Sequence, residues 1–178
     1  MTTPLLKRPV AAAALAITLV LGGCSAFKSD DQDVEDMPPG EIFQLAESQL
    51  ADGNEEQAAK TFNEIDRLYP FSQLAKRAII MSAFSSYQAG DYSAARGSAR
   101  RYLDLYPSDK DAAYAQHLIA LTYYDNIVDV GRDQGTTENA LQALREVVNR
   151  YPESEFARDA QLKIDLTLDH LAGKEMEI

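Results

Sequence analysis

Apolar residues recur along most of this 178-residue chain at helical spacing, and outside the first 23 residues almost nothing alternates with period two. The pattern predicts an all-α fold without a sheet. The helical stretches are cut at regular places. A first helix is predicted from about Glu41 to Ala51, stopped at Asp52-Gly53-Asn54. A second runs from about Glu55 to Leu68 and stops at Tyr69-Pro70, where the proline ring disfavours continuation. A third covers about Gln73 to Gln88 behind a Ser72 cap, and a fourth follows Ala89-Gly90-Asp91 and ends at Leu105. A fifth starts after Ser108, with Ser108 and Asp111 spaced like a capping box, and reaches about Ile127. A sixth spans about Glu138 to Arg150, and a seventh, behind Ser154, about Glu155 to Ala172.

The stops fall on a grid. Leu68-Tyr69-Pro70 returns as Leu105-Tyr106-Pro107 and as Arg150-Tyr151-Pro152, each proline 12 residues after an alanine: Ala58, Ala95, Ala140. Gly53 and Gly90 lie five residues before the first two of these alanines, and Ala46, Ala83 and Ala120 follow one another at a step of 37. Self-similarity at this period marks an array of helix pairs, in which a helix A and a helix B make one unit and stacked units share a continuous core. Small side chains at each A–B crossing let the axes approach. Phe62, Ile65, Tyr102, Leu144 and Val147, four or seven residues after the helix-B alanine, are expected to fill the space between units. From Tyr106 to Tyr151 is 45 residues rather than 37, and the surplus falls in the polar stretch Asp125 to Thr137, expected to be a longer A–B loop.

The first 23 residues follow a different rule. Lys7 and Arg8 precede an apolar run from Val10 to Leu21, the length of a signal-peptide core and too short to span a bilayer. The run ends in Leu21-Gly22-Gly23-Cys24, and Cys24 is the only cysteine. This order predicts a bacterial lipobox, cleaved before Cys24, with diacylglycerol on the sulfur and an acyl chain on the new amine; several chains anchor stably where one would be marginal. Ser25, rather than aspartate, follows the cysteine, which points to the outer membrane.

Removing Lys7 and Arg8 takes the formal net charge from −11 to −13. So acidic a chain lacks the basic face of a nucleic-acid binder. One cysteine allows no internal disulfide, so packing must hold the fold. Residues 24–39 read as an acidic tether: Asp30, Asp31, Asp33, Glu35 and Asp36 precede Pro38-Pro39. About 15 such residues reach roughly 20 Å. The expected organisation is a signal peptide over 1–23, an acylated tether over 24–39 and a repeat domain over 40–178, divided near 40–70, 71–107, 108–152 and 153–178.

Gly, Ala, a large apolar residue and Pro at these offsets in helix B resemble the tetratricopeptide pattern, here lengthened from 34 residues to 37, in about three and a half helix pairs. Taken with the lipobox, the tether and the segments Ala120-Leu121-Thr122-Tyr123-Tyr124-Asp125 and Asp165-Leu166-Thr167-Leu168-Asp169-His170-Leu171, the whole chain after residue 23 resembles the BamD (ComL) family. These are the tetratricopeptide lipoproteins of the outer-membrane β-barrel assembly machinery. The resemblance implies a non-enzymatic scaffold on the periplasmic face of the outer membrane. It would hold the insertase BamA and other lipoproteins of the complex and recognise the C-terminal signal of unfolded outer-membrane proteins. The family carries five repeats, whereas this sequence stops at Lys174-Glu175-Met176-Glu177-Ile178, after the first helix of the fourth. In the family the part beyond this point mainly contacts BamA, and the substrate-facing half is expected here.

In a tetratricopeptide array the A helices line the inner surface. Offsets of −6, −3, +1 and +4 from the helix-A alanine give Gly40, Phe43, Glu47 and Leu50 in the first unit. They give Arg77, Ile80, Phe84 and Tyr87 in the second, and Tyr114, His117, Leu121 and Tyr124 in the third. Aromatics and arginine dominate binding hot spots, and the same stripe could equally be core. A C-terminal outer-membrane signal ends in an aromatic residue and a free carboxylate, which would suit Arg77 and a tyrosine wall. Catalytic motifs are absent: there is no His-Glu-x-x-His, no Gly-x-Ser-x-Gly and no Gly-rich phosphate loop, and neither a metal nor a cofactor is expected. The alternative function is a lipoprotein that tethers cell-wall or envelope machinery.

Overall fold

The computed structural model describes residues 34–127 and 134–175. Seven helices and no strand occur among them: α1 (Pro39–Ala51), α2 (Glu55–Leu68), α3 (Gln73–Gln88), α4 (Tyr92–Leu105), α5 (Ala112–Tyr124), α6 (Gln134–Arg150) and α7 (Glu155–Glu175). The all-α repeat architecture is therefore present, with α1, α3, α5 and α7 as A helices and α2, α4 and α6 as B helices. None of the described helices is long and apolar enough to cross a membrane. Cys24, its acylation and the signal segment lie outside the described residues.

Local chemistry explains the cuts. Gly53 and Gly90 both sit at φ +76°, a backbone region that side chains with a Cβ rarely enter, and this is why the two A–B turns share a glycine. At the B–A turns Ser72 Oγ accepts from Ala75 N at 3.1 Å, and Ser154 Oγ accepts from Ala157 N, also at 3.1 Å. The capping box expected at Ser108 and Asp111 does not form, and α5 begins only at Ala112 without a side-chain cap. The turn is held instead by Asp109, whose Oδ1 accepts from Asp111 N at 3.1 Å. Helix α5 ends three residues before the expected Ile127, and α6 begins at Gln134, four residues before Glu138. The expected long loop is thus shorter, and its residues 128–133 lie outside those described.

The folded unit starts at Val34, so the last residues expected in the tether belong to the fold. Val34 is buried, and the Met37 carbonyl accepts from the Tyr69 hydroxyl at 2.7 Å. Proline at the start of α1 is pre-set for a helix, and its missing N–H costs nothing there.

Packing follows the alanine grid. Ala46, Ala58, Ala83, Ala95, Ala120 and Ala140 expose no area at all, so every crossing position is closed. Phe62, Ile65, Tyr102, Leu144 and Val147 are among the largest fully buried side chains. Three apolar clusters result, one around α1–α3, one around α3–α5 and one around α5–α7. The backbone of each A helix also lies close to that of the next A helix, whereas the backbones of successive B helices stay apart. The A side is the tighter side of the stack, and the B side opens into gaps.

Candidate functional site

Much of the stripe on the A helices is spent holding the helices to each other. Arg77 on α3 reaches back to α1, its Nη2 3.1 Å from Glu47 Oε1 and its guanidinium 4.7 Å above the Phe43 ring. The Tyr87 hydroxyl donates to Asp125 Oδ2, linking α3 to the end of α5. Tyr114 and His117 on α5 both meet the Phe156 ring of α7, at 5.4 and 5.2 Å between centroids. Lys163 of α7 lies 5.5 Å over the Tyr124 ring and 2.9 Å from Asp159 Oδ1.

Exposure sorts the eight stripe residues. Ile80 and His117 are each 7% exposed and belong to the core, so neither offers much surface. Their offset of −3 points at the neighbouring A helix. Phe84, Tyr87, Tyr114, Leu121 and Tyr124 are half-buried, and Arg77 is exposed. The accessible part of the stripe is therefore a cation on α3 followed by a strip of aromatic and aliphatic edges along α3 and α5.

Titration behaviour reflects the burial. The Tyr87 phenol is raised well above its ordinary pKa, first by burial and then by the Asp125 carboxylate it donates to. Burial likewise raises Tyr114. His117 is lowered: burial disfavours the imidazolium, and the Asp159 carboxylate 3.3 Å from Nε2 offsets only part of that. The approach is not an aligned hydrogen bond, and neither Asp159 Oδ2 nor His117 Nδ1 has a hydrogen-bond partner among the described residues. A neutral, packed imidazole of this kind is a structural group rather than a base.

Sequence reasoning missed a second polar centre. Asp109 sits two residues after Pro107, the position occupied by Ser72 and Ser154 in the other B–A turns. Its Oδ2 takes the Lys76 ammonium at 2.6 Å and its Oδ1 the buried Tyr102 hydroxyl at 2.7 Å. Lys76, then Tyr102 and the Asp111 N–H, hold its carboxyl well below the usual carboxylate range. One signal was available: Tyr102 stands where the other units carry Ile65 and Val147, and a hydroxyl in a core slot needs a partner.

Residues 35–178 match YfiO, described as an outer membrane lipoprotein. The chain is 41% identical over 170 residues to the outer membrane protein assembly factor BamD of Caulobacter vibrioides, a match covering 95% of this chain and 56% of that protein. It is 37% identical over 166 residues to the Rickettsia prowazekii protein of the same name, covering 93% and 65%. With the Neisseria gonorrhoeae protein the identity is 24% over 177 residues, covering 92% and 66%. The chain thus spans only part of the length of these relatives, from somewhat over half to about two thirds.

Proposed function

Because this chain belongs to the YfiO family of outer membrane lipoproteins, we propose that it is a non-enzymatic scaffold that helps assemble β-barrel proteins in the outer membrane. The match over residues 35–178 carries this reading, since it covers the whole folded unit rather than one repeat. Cys24 is the lipid attachment point, and the chain works at the periplasmic face of the outer membrane. Its partners are a BamA-like insertase and other lipoproteins of the assembly complex. Its substrate contact is the C-terminal signal of an unfolded barrel protein, laid along the accessible A-helix strip. There Arg77 meets the terminal carboxylate, and Phe84, Tyr87, Tyr114, Leu121 and Tyr124 meet the apolar side chains. Arg77 is already paired with Glu47, but both groups are exposed, and such a pair yields to a competing carboxylate at little cost.

Depleting the protein in its host tests this reading. Folded outer-membrane barrels, read as heat-modifiable bands on cold gels, are expected to fall while inner-membrane proteins hold steady. Supplying Cys24→Ser in place of the native chain is expected to give no palmitate label and poor rescue. Unchanged barrel levels after depletion would overturn the assembly role, and palmitate on the Cys24→Ser chain would overturn the anchor.

A further inference from the structure

A cleft of about 410 Å³ lies on the B side, between α4 and α6 with α5 as its floor. The repeat register explains why it is open. Between α2 and α4 the gap is bridged by Arg101, whose Nε and Nη2 lie 2.5 and 3.1 Å from the Asp66 carboxylate. Counted from the Tyr-Pro prolines, the equivalents in the next gap are Glu146 for Arg101 and Leu103 for Asp66. A glutamate facing a leucine makes no bridge. Glu146 instead accepts from Gln116 Nε2 on the floor at 3.2 Å, and the same buried amide accepts from Arg150 Nη1 at 3.0 Å.

The cleft has a direction. Its middle is apolar, built from the buried Leu103, Ile119 and Ala143. At one end Arg100 donates to the Tyr123 hydroxyl at 3.1 Å, and Arg96 stacks 4.7 Å over the same ring. Neither guanidinium pairs with a carboxylate among the described residues; Arg100 lines the cleft, Arg96 adjoins it through the Tyr123 ring, and the first lining residues of α6 are the uncharged amides Asn139 and Gln142. The acids that line the cleft, Asp104 and Glu146, lie further along α4 and α6, towards their C-termini. Two arginines that among the described residues meet only a phenol, in a strongly acidic chain, are an anion-receptive pair, and arginine binds carboxylates through paired, charge-assisted hydrogen bonds.

We propose that this cleft docks a segment of a partner polypeptide that sets an Asp or Glu against Arg96 and Arg100 and an aliphatic or aromatic side chain on the Leu103–Ile119–Ala143 floor. Charge favours this orientation, because at the opposite end Asp104 and Glu146 outnumber the one cation, Arg150, whose Nη1 already donates to Gln116. The surface is distinct from the A-helix strip, so both can be occupied at once.

A photo-cross-linking amino acid at Gln142 of the full-length protein, activated in its host cells, tests this. A discrete adduct is expected, and its cross-linked partner peptide should contain an acid beside an apolar residue. Arg100→Glu should lower the adduct about tenfold or more, and Arg145→Glu, on the exposed part of α6, should leave it unchanged. Changing that partner acid to arginine should restore the adduct with Arg100→Glu. Arg100→Gln, which keeps a polar side chain, should lose less, and its melting curve separates lost contact from lost fold. No adduct, an adduct indifferent to Arg100→Glu in a folded protein, a captured segment without an acid, or capture of a second copy of this chain would each overturn the proposal.

Discussion

The two sides of this array solve the same packing problem in opposite ways. On the A side every helix touches the next, through Arg77 on Phe43 and Glu47, Tyr87 on Asp125, and Phe156 on Tyr114 and His117. On the B side successive helices stay apart, joined by one ion pair in the first gap and left open in the second. The difference teaches that the aromatics of the A-helix stripe set how the units stack, and only their edges are left accessible. The B side carries little of the stacking and can vary in charge from unit to unit at small cost.

The largest effect expected from this contrast is on the A side. Phe156→Ala removes the ring that Tyr114 and His117 share, and a half-buried aromatic of this kind should cost about 2–3 kcal/mol in a denaturant melt. On the B side Arg101→Ala breaks a pair whose arginine is exposed and whose Asp66 is largely covered, and should cost about 1 kcal/mol, less than the loss of the Phe156 ring. Equal losses would mean that the B side stacks the units after all.

A subtler difference lies in pH. The folded pKa of His117 is below its unfolded value, so the unfolded chain binds the extra proton. The contribution of a neutral His117 is full above about pH 6.5 and is lost as pH falls through that value towards the folded pKa. Asp109 is lowered in the same direction but from a carboxylate value, so its contribution is full above about pH 4 and fades only below it. Melting temperature against pH should therefore show two separate steps. His117→Gln should flatten the upper step alone, and Asp109→Asn the lower step alone.

Most of the fold was legible in the sequence because its determinants are local and periodic. The alanine grid marked the crossings, the two glycines marked turns that need positive φ, and Tyr-Pro marked the B-helix ends. The start of the fold was less legible, because Val34 and Met37 belong to it only through long-range contacts with the end of α2. The Ser108 cap failed for a similar reason: Asp109 is recruited by Lys76 and Tyr102 from elsewhere in the chain. Within the site, spacing placed Arg77, Tyr87, Tyr114 and Tyr124 on one face. It could not show that Ile80 and His117 are covered by the next A helix, since that depends on how closely the units stack. The B-side cleft was invisible until the register of Asp66, Arg101, Leu103 and Glu146 could be compared in space.

A smaller effect concerns the cation itself. Glu47→Gln frees Arg77 from its carboxylate and should tighten binding of an acidic ligand only a few-fold, because the pair is exposed. The most direct test of the functional reading is calorimetry with one peptide carrying a C-terminal outer-membrane signal, in free-acid and amidated forms. Wild type should bind the acid more tightly. Arg77→Ala should weaken the acid about tenfold while leaving the amide nearly unchanged, and Arg100→Ala on the B side should change neither. If wild type binds both forms alike, or if Arg100→Ala and not Arg77→Ala removes the preference, the A-helix strip is not where the carboxylate is read.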